Sequence, residues 1–216
     1  MRSAGVAPDV ASRALLAATL LGAFLFLAGL GAYLDGGLGD ASARDLVTTS
    51  GSPTYWLAWG VSEVGSTAAG IAMVLVAAAY AWWRGHRRGA FLAALAVLVA
   101  SLADLALKLA FDRARPPYAL VAEDPWSFPS GHATRAASLA CALAWSAWRL
   151  RAPRDATRGL VLAGGAWALL VADARLALGV HYLSDVVGGL GVGLGATAAT
   201  LLVGERFIEA PPSRAT

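Results

Sequence analysis

Two of the chain's three histidines, His132 and His181, lie where charged residues crowd the ends of apolar stretches. His181 and Asp185 stand four apart, so on a helix they share a face and the carboxylate reaches the imidazole. A carboxylate holding one ring nitrogen fixes the tautomer and supports the imidazolium form, which leaves the other nitrogen to attack phosphorus. His132 comes from a different stretch and is suited to protonate a departing oxygen. Cations surround the pair. Lys108 offers a point charge, while Arg115 and Arg175 offer planar forks matched to phosphate oxygens. Pro129-Ser130-Gly131-His132 puts a small residue and a glycine at a helix start, where free N–H groups and the positive dipole end favour an anion. Ser130 has a second reading as an N-cap for those same donors. Each residue alone has a plain structural reading. The set together points to capture of a multiply charged anion.

Two further charges are read as supporting the site, because buried charges are usually paired. Asp104 lies one helical turn before Lys108 and is expected to pair with it. Arg135, one turn after His132, is expected to touch phosphate or to pair with Asp104 or Asp173.

The elements that must position these residues are helices in lipid. Hydrophobic residues make up 58% of the 216 and charged residues 14%, with a mean hydropathy of +0.61. Globular chains carry about 25% charged residues, so a soluble surface is excluded. Apolar stretches run over about 14–33, 67–83, 90–111, 133–148, 160–178 and 186–203, approaching the roughly 20 residues that a spanning helix needs. The expected fold class is all-α, a six-helix transmembrane bundle forming one domain over 1–216. The first stretch exceeds the apolar core of a signal peptide, about 7–15 residues, and reads as a retained helix. Gly188, Gly189, Gly191, Gly193 and Gly195 suit close helix contacts. They are not a nucleotide loop, because no strand precedes them.

Orientation follows from the basic residues. With six spans, Arg2, Arg13, Arg84, Arg87, Arg88, Arg149, Arg151, Arg154, Arg158 and Arg206 fall on one side, the cytoplasmic one by the positive-inside rule. Both termini would then be cytoplasmic. The other side carries Asp35, Asp40, Asp45, Glu63, Glu123 and Asp124. The net charge of +3 sits in these topology clusters, so no nucleic-acid partner is read from it. Cys141, the single cysteine, reads as a packed core residue. The connector over 34–66, with Tyr55, Trp56, Leu57 and Trp59, is either an amphipathic segment on the outer leaflet or a structured loop.

Lys108-x6-Arg115-Pro116, Pro129-Ser130-Gly131-His132 and Arg175-x5-His181-x3-Asp185 together resemble the three signature motifs of the type 2 phosphatidic acid phosphatase (PAP2) family, which includes bacterial lipid phosphatases and the vanadium haloperoxidases. The resemblance implies that Lys108, Arg115, Ser130, Gly131 and Arg175 bind phosphate. It also implies that His181 forms a phosphohistidine steadied by Asp185, and that His132 donates the proton and later activates water. No metal or other cofactor is implied. A multi-pass protein of the bacterial inner (cell) membrane is expected, its site facing outside and its substrate a lipid phosphate or diphosphate: an isoprenoid diphosphate, phosphatidic acid or phosphatidylglycerophosphate. Alternatives are a phosphatase of soluble esters, a lipid phosphotransferase and, ranked lower, a non-enzymatic scaffold. One position departs from the family pattern: many members have Ser before the third motif's arginine, where this chain has Ala174.

Overall fold

The computed structural model describes residues 7–36 and 40–208. Arg2 and the placing of both chain ends lie outside them. The elements are α1 (Ala7–Leu34), α2 (Asp40–Ala43), a 3-10 turn (Arg44–Leu46), α3 (Pro53–Val64), α4 (Thr67–Trp83), α5 (Arg87–Phe111), α6 (Gly131–Arg149), α7 (Arg154–Ala177) and α8 (Leu183–Ile208). Among the described residues, the only extended pairing is an isolated bridge between Ala114 and Trp126. The protein is all-helical.

Local sequence explains the less obvious starts. Ser52 caps α3 by accepting from the Tyr55 N–H, with Pro53 in the first turn, and Ser66 caps α4 by accepting from the Ala69 N–H. A cap oxygen satisfies one of the four N–H groups that a helix start leaves open. The connector expected over 34–66 therefore contains a true helix. In α3 Trp56, Leu57 and Trp59 are exposed while Ala58 and Ser62 are buried, an amphipathic arrangement.

The expected count of six spans is met only in part. Among the described residues four helices, α1, α5, α7 and α8, are long and apolar enough to cross a membrane. The bent pair α3–α4, at 47°, makes a fifth candidate only if taken as one span. The 17 residues of α4 are short for a span on their own. Helix α6 carries Thr134, Arg135, Ser138 and Ser146; its polar residues are tolerated because it lies inside the bundle, enclosed by α5, α7 and α8. Leu20, Phe24, Leu102 and Leu162 are among the apolar side chains exposed on the outer helices, as expected of a multi-pass membrane protein.

Close backbone contact holds α8 at the centre. A Cβ at Gly22 would fall 2.3 Å from Gly195 N, and one at Gly191 would fall 2.3 Å from Phe26 N. On its other side a Cβ at Gly193 would lie 2.1 Å from Thr134 O, and at Gly189 2.4 Å from Ser130 O. Small residues allow membrane helices to approach this closely. The consequence for the site is direct: α8 brings Asp185 against the start of α6, where Ser130 N–H donates to Asp185 O at 2.9 Å.

Candidate active site

The site lies at the end of the bundle where α5 finishes, α6 begins and α7 turns into α8. The turn is tight: Gly179 has φ +67°, and a Cβ there would meet Tyr118 O at 2.9 Å. His181 follows it and is 2% exposed. Its Nδ1 lies 3.3 Å from Asp185 Oδ2, which also accepts the Tyr182 N–H at 2.9 Å. Its Nε2 faces Arg115 Nη1 at 3.1 Å. Burial, then the positive charges of Arg175, Arg115 and Lys108, hold the His181 pKa well below its ordinary value. The imidazole is thus neutral, the form a nucleophile requires.

Asp185 is itself held. Arg113 donates to Asp185 Oδ1 at 2.5 Å, to Asp40 Oδ2 at 2.7 Å and to Ser184 Oγ at 2.7 Å. Its guanidinium lies over the rings of Tyr33 at 4.4 Å and Tyr182 at 4.1 Å. Burial works against the Arg113 charge, but Asp185 and Asp40 outweigh it and raise the pKa. Asp40 also accepts from Ser184 N–H at 3.0 Å and from its hydroxyl. The one-turn helix α2 is in this way tied to the start of α8.

The remaining cations converge from three elements. Lys108 is 6% exposed, and its Nζ donates to Trp126 O at 3.1 Å. Arg115 donates to Val180 O at 2.8 Å and to Asp124 Oδ1 at 2.8 Å, and its Nε donates to Asp124 O. Burial works to raise the Asp124 pKa, but Lys108 and Arg115 together bring it below the usual carboxylate value. Arg175, 1% exposed, donates to Ser62 Oγ at 2.5 Å and to Glu123 Oε1. Among the described residues, three buried side-chain polar atoms have no hydrogen-bond partner: Ser130 Oγ, Arg135 Nε and Arg175 Nε. Leaving a buried donor unsatisfied costs about 1–3 kcal/mol, and groups left this way are expected where a ligand supplies the partner.

Lys108, Arg115, Ser130, Gly131, His132, Arg175, His181 and Asp185 all lie at this end. The Asp104–Lys108 pair expected from their spacing is not made as a direct ion pair, because each group has a nearer partner. Asp104 accepts the Thr134 hydroxyl at 3.1 Å, while Lys108 turns to Trp126. Arg135 pairs with neither Asp104 nor Asp173 among the described residues; its Nη2 lies 3.4 Å from His132 Nδ1. All three groups border Gly131. A Cβ there would meet Asp104 Oδ2 at 3.0 Å, Arg135 Nη1 at 3.1 Å and Lys108 Cε at 3.6 Å. Any side chain at 131 would therefore push Asp104 and Arg135 aside by a few tenths of an ångström.

A model of the PAP2 superfamily matches residues 89–209, more than half of the chain. This chain belongs to the PAP2 superfamily. It is 37% identical over 95 residues to phosphatidylglycerophosphatase B of Bacillus subtilis (strain 168), an alignment covering 43% of this chain and 47% of that protein. The chain thus matches about half the length of that curated relative. The crystal structure of a transmembrane PAP2-type phosphatidylglycerolphosphate phosphatase from Bacillus subtilis is similar in fold, with a TM-score of 0.76 at 24% identity over 90% of this chain and 98% of that one.

Every expected phosphate contact lies within the PAP2-matched region, but two of the groups that hold it do not. Asp40 and Ser62 precede residue 89. Sequence reasoning placed both Asp40 and Glu123 among the outer carboxylates, without giving either a partner. The usable signal was charge balance: cations this crowded near membrane depth need carboxylates nearby. Ala174 is 3% exposed and packs with Ala58, Leu178 and Val180. The hydroxyl that reaches Arg175 comes instead from Ser62 of α3.

Proposed function

We propose that this PAP2 protein is a metal-independent membrane phosphatase that hydrolyses a lipid phosphate or diphosphate through a phosphohistidine at His181. The observation that carries this is the two-sided hold on one neutral imidazole: Asp185 on Nδ1 and a phosphate-matching guanidinium, Arg115, on Nε2. Asp185 accepts Nδ1–H, so the lone pair sits on Nε2, the side that Arg115 touches, and the ring feels the charges of Arg175 and Lys108.

In the first step His181 Nε2 attacks phosphorus, the P–O bond to the lipid breaks, and His132 gives its proton to the departing oxygen. In the second, His132 takes a proton from water, the water oxygen attacks phosphorus, and the P–N bond breaks to release inorganic phosphate. The cations and the unpartnered donors Ser130 Oγ and Arg175 Nε stabilise the equatorial oxygens, whose charge the transition state spreads. The same cations supply the charge neutralisation that a metal would otherwise provide.

The named activity of the Bacillus relatives puts phosphatidylglycerophosphate beside phosphatidic acid and isoprenoid diphosphates as the substrate. The site is assigned to the outer face of the inner membrane, because Arg84, Arg87, Arg88, Arg149, Arg151 and Arg154 lie at the other ends of the same helices. The test is phosphate release by detergent-purified protein in EDTA from undecaprenyl diphosphate, phosphatidic acid, phosphatidylglycerophosphate and an aryl phosphate, beside His181→Ala. Chelator-resistant release that His181→Ala abolishes supports the proposal, and the preferred lipid names the substrate. Release that EDTA removes, or that survives in His181→Ala, overturns it.

A further inference from the structure

At the end of the bundle opposite His181, an apolar groove of about 660 Å³ lies between α1 and α7 over α6 and α8. Leu21, Cys141, Trp148, Val161 and Leu194 are among its walls. It begins near Val10, Trp148 and Thr157 and continues to Leu25 and Leu190, so it follows the long axis of the spans. Its mouth is strongly basic. Arg13, Arg151, Arg154 and Arg158 are all exposed and stand one to three residues from the lining residues Ala14, Trp148 and Thr157, Arg154 one turn before Arg158. Arg158 has a loose surface partner in Asp155 at 3.6 Å, whereas Arg151 and Arg154 have no ion pair among the described residues. Helix α6 separates this mouth from the start of the site by 19 residues, about 28 Å at 1.5 Å per residue. That is nearly the thickness of a bilayer core.

We infer that the groove is a binding site for one anionic glycerophospholipid of the leaflet opposite the active site, an acyl chain in the groove and the phosphate on Arg151 and Arg154. Long apolar walls suit the chain, and clustered arginines at headgroup level suit an anionic lipid. A second copy is a poorer occupant. Two copies in one membrane share an orientation, so a two-fold contact along the groove would bring two arginine clusters together. The site is independent of the phosphatase reading, because its ligand is bound and not hydrolysed.

The test is native mass spectrometry of the full chain, delipidated in detergent and then offered equimolar phosphatidylglycerol and phosphatidylcholine. Gly165→Phe fills the groove; a Cβ at Gly165 meets nothing within 4 Å, and thermal unfolding in detergent establishes that the variant is folded. Arg151→Gln/Arg154→Gln removes the charge, and His181→Ala serves as a control for lipid held at the distant site. Expected is one phosphatidylglycerol per chain, retained at least tenfold over phosphatidylcholine. Retention should fall tenfold or more in Gly165→Phe and in the double arginine variant, and persist in His181→Ala. Equal retention of the two lipids, retention unchanged by Gly165→Phe, or a dimer that Gly165→Phe dissociates would each overturn the inference.

Discussion

Replacing Asp185 by Asn tests the imidazole tautomer, and the structure says which way the new amide turns. Asp185 Oδ1 accepts from Arg113, while Oδ2 accepts from Tyr182 N–H and faces His181 Nδ1. An amide has only one acceptor oxygen. The charged donor is the stronger claimant, so the Asn oxygen turns to Arg113 and the NH2 group faces His181. The imidazole must then accept at Nδ1 and carry its proton on Nε2, which removes the attacking lone pair. An Asp→Asn change that leaves geometry intact but selects the wrong tautomer costs about 10⁴ in kcat in the serine protease case; we expect on the order of 10³–10⁴ here. At 1.36 kcal/mol per decade, that is about 4–5.5 kcal/mol of barrier. The decisive variant adds Arg113→Gln. Without the guanidinium the Asn oxygen is free to face His181, so Asp185→Asn/Arg113→Gln should be at least tenfold faster than Asp185→Asn alone. This holds although Arg113→Gln by itself breaks a buried pair, a change costing about 3–5 kcal/mol of stability. The assay is single-turnover phosphate release, with thermal unfolding in detergent to establish that each variant is folded. If the folded double variant is no faster than Asp185→Asn, or Asp185→Asn alone stays within tenfold of the parent, the tautomer reasoning is wrong.

Three further outcomes are expected. Because burial and the surrounding cations keep His181 neutral in the native protein, kcat/KM corrected for substrate ionisation should show no loss from His181 protonation as pH falls from 8 through 6, and any rise over that range reports protonation of the general acid His132. The unfolded imidazole, by contrast, protonates near 6.5, so proton uptake favours the unfolded chain below that pH and thermal stability should decline there. Glu123 competes with substrate phosphate for Arg175, so Glu123→Gln should lower KM by about three- to tenfold; a raised KM would show that it supports the arginine instead. Gly191→Ala, whose Cβ would fall 2.3 Å from Phe26 N, should cost at least about 1–3 kcal/mol by thermal unfolding. Gly60→Ala, whose Cβ meets nothing within 4 Å, should be neutral or better.

Much of the site was legible because its chemistry is local in sequence. Each motif sits where a helix starts or stops, and the four-residue spacing anticipated the His181–Asp185 contact, although His181 lies in the turn before α8 and only Asp185 is on the helix. Spacing says only that contact is possible, however. The same four-residue interval between Asp104 and Lys108 gives no ion pair, since Thr134 and Trp126 are better placed and both come from distant segments. The Arg113–Asp40–Ser184 network was not legible for the same reason: its partners are 73 and 144 residues apart. Helix α3 was partly readable, as Ser52-Pro53 is a start signal, but its exposed aromatics pointed to the membrane surface and hid the role of Ser62. Length and apolarity alone do not reach six spans, because α6 is shielded from lipid and so tolerates polar residues, and α4 is short.

The glycine-lined union of α1 with α8 also has a consequence for biosynthesis. Among the described residues these are the first and last of the long helices, and all of α2–α7 must be made between them. At about 5–20 residues per second, α1 waits on the order of ten seconds in the bilayer with its notched face unmatched. The contacts of its glycines are all with α8: Gly22 meets Gly195 and Gly191, and Gly29 meets Gly188 and Ser184. The histidine turn arrives just ahead of α8 itself, so docking of the last helix and completion of the site are one event. A ribosome stalled before α8 leaves a chain that is both open at α1 and without the His181–Asp185 pair, so incomplete products are inert by construction.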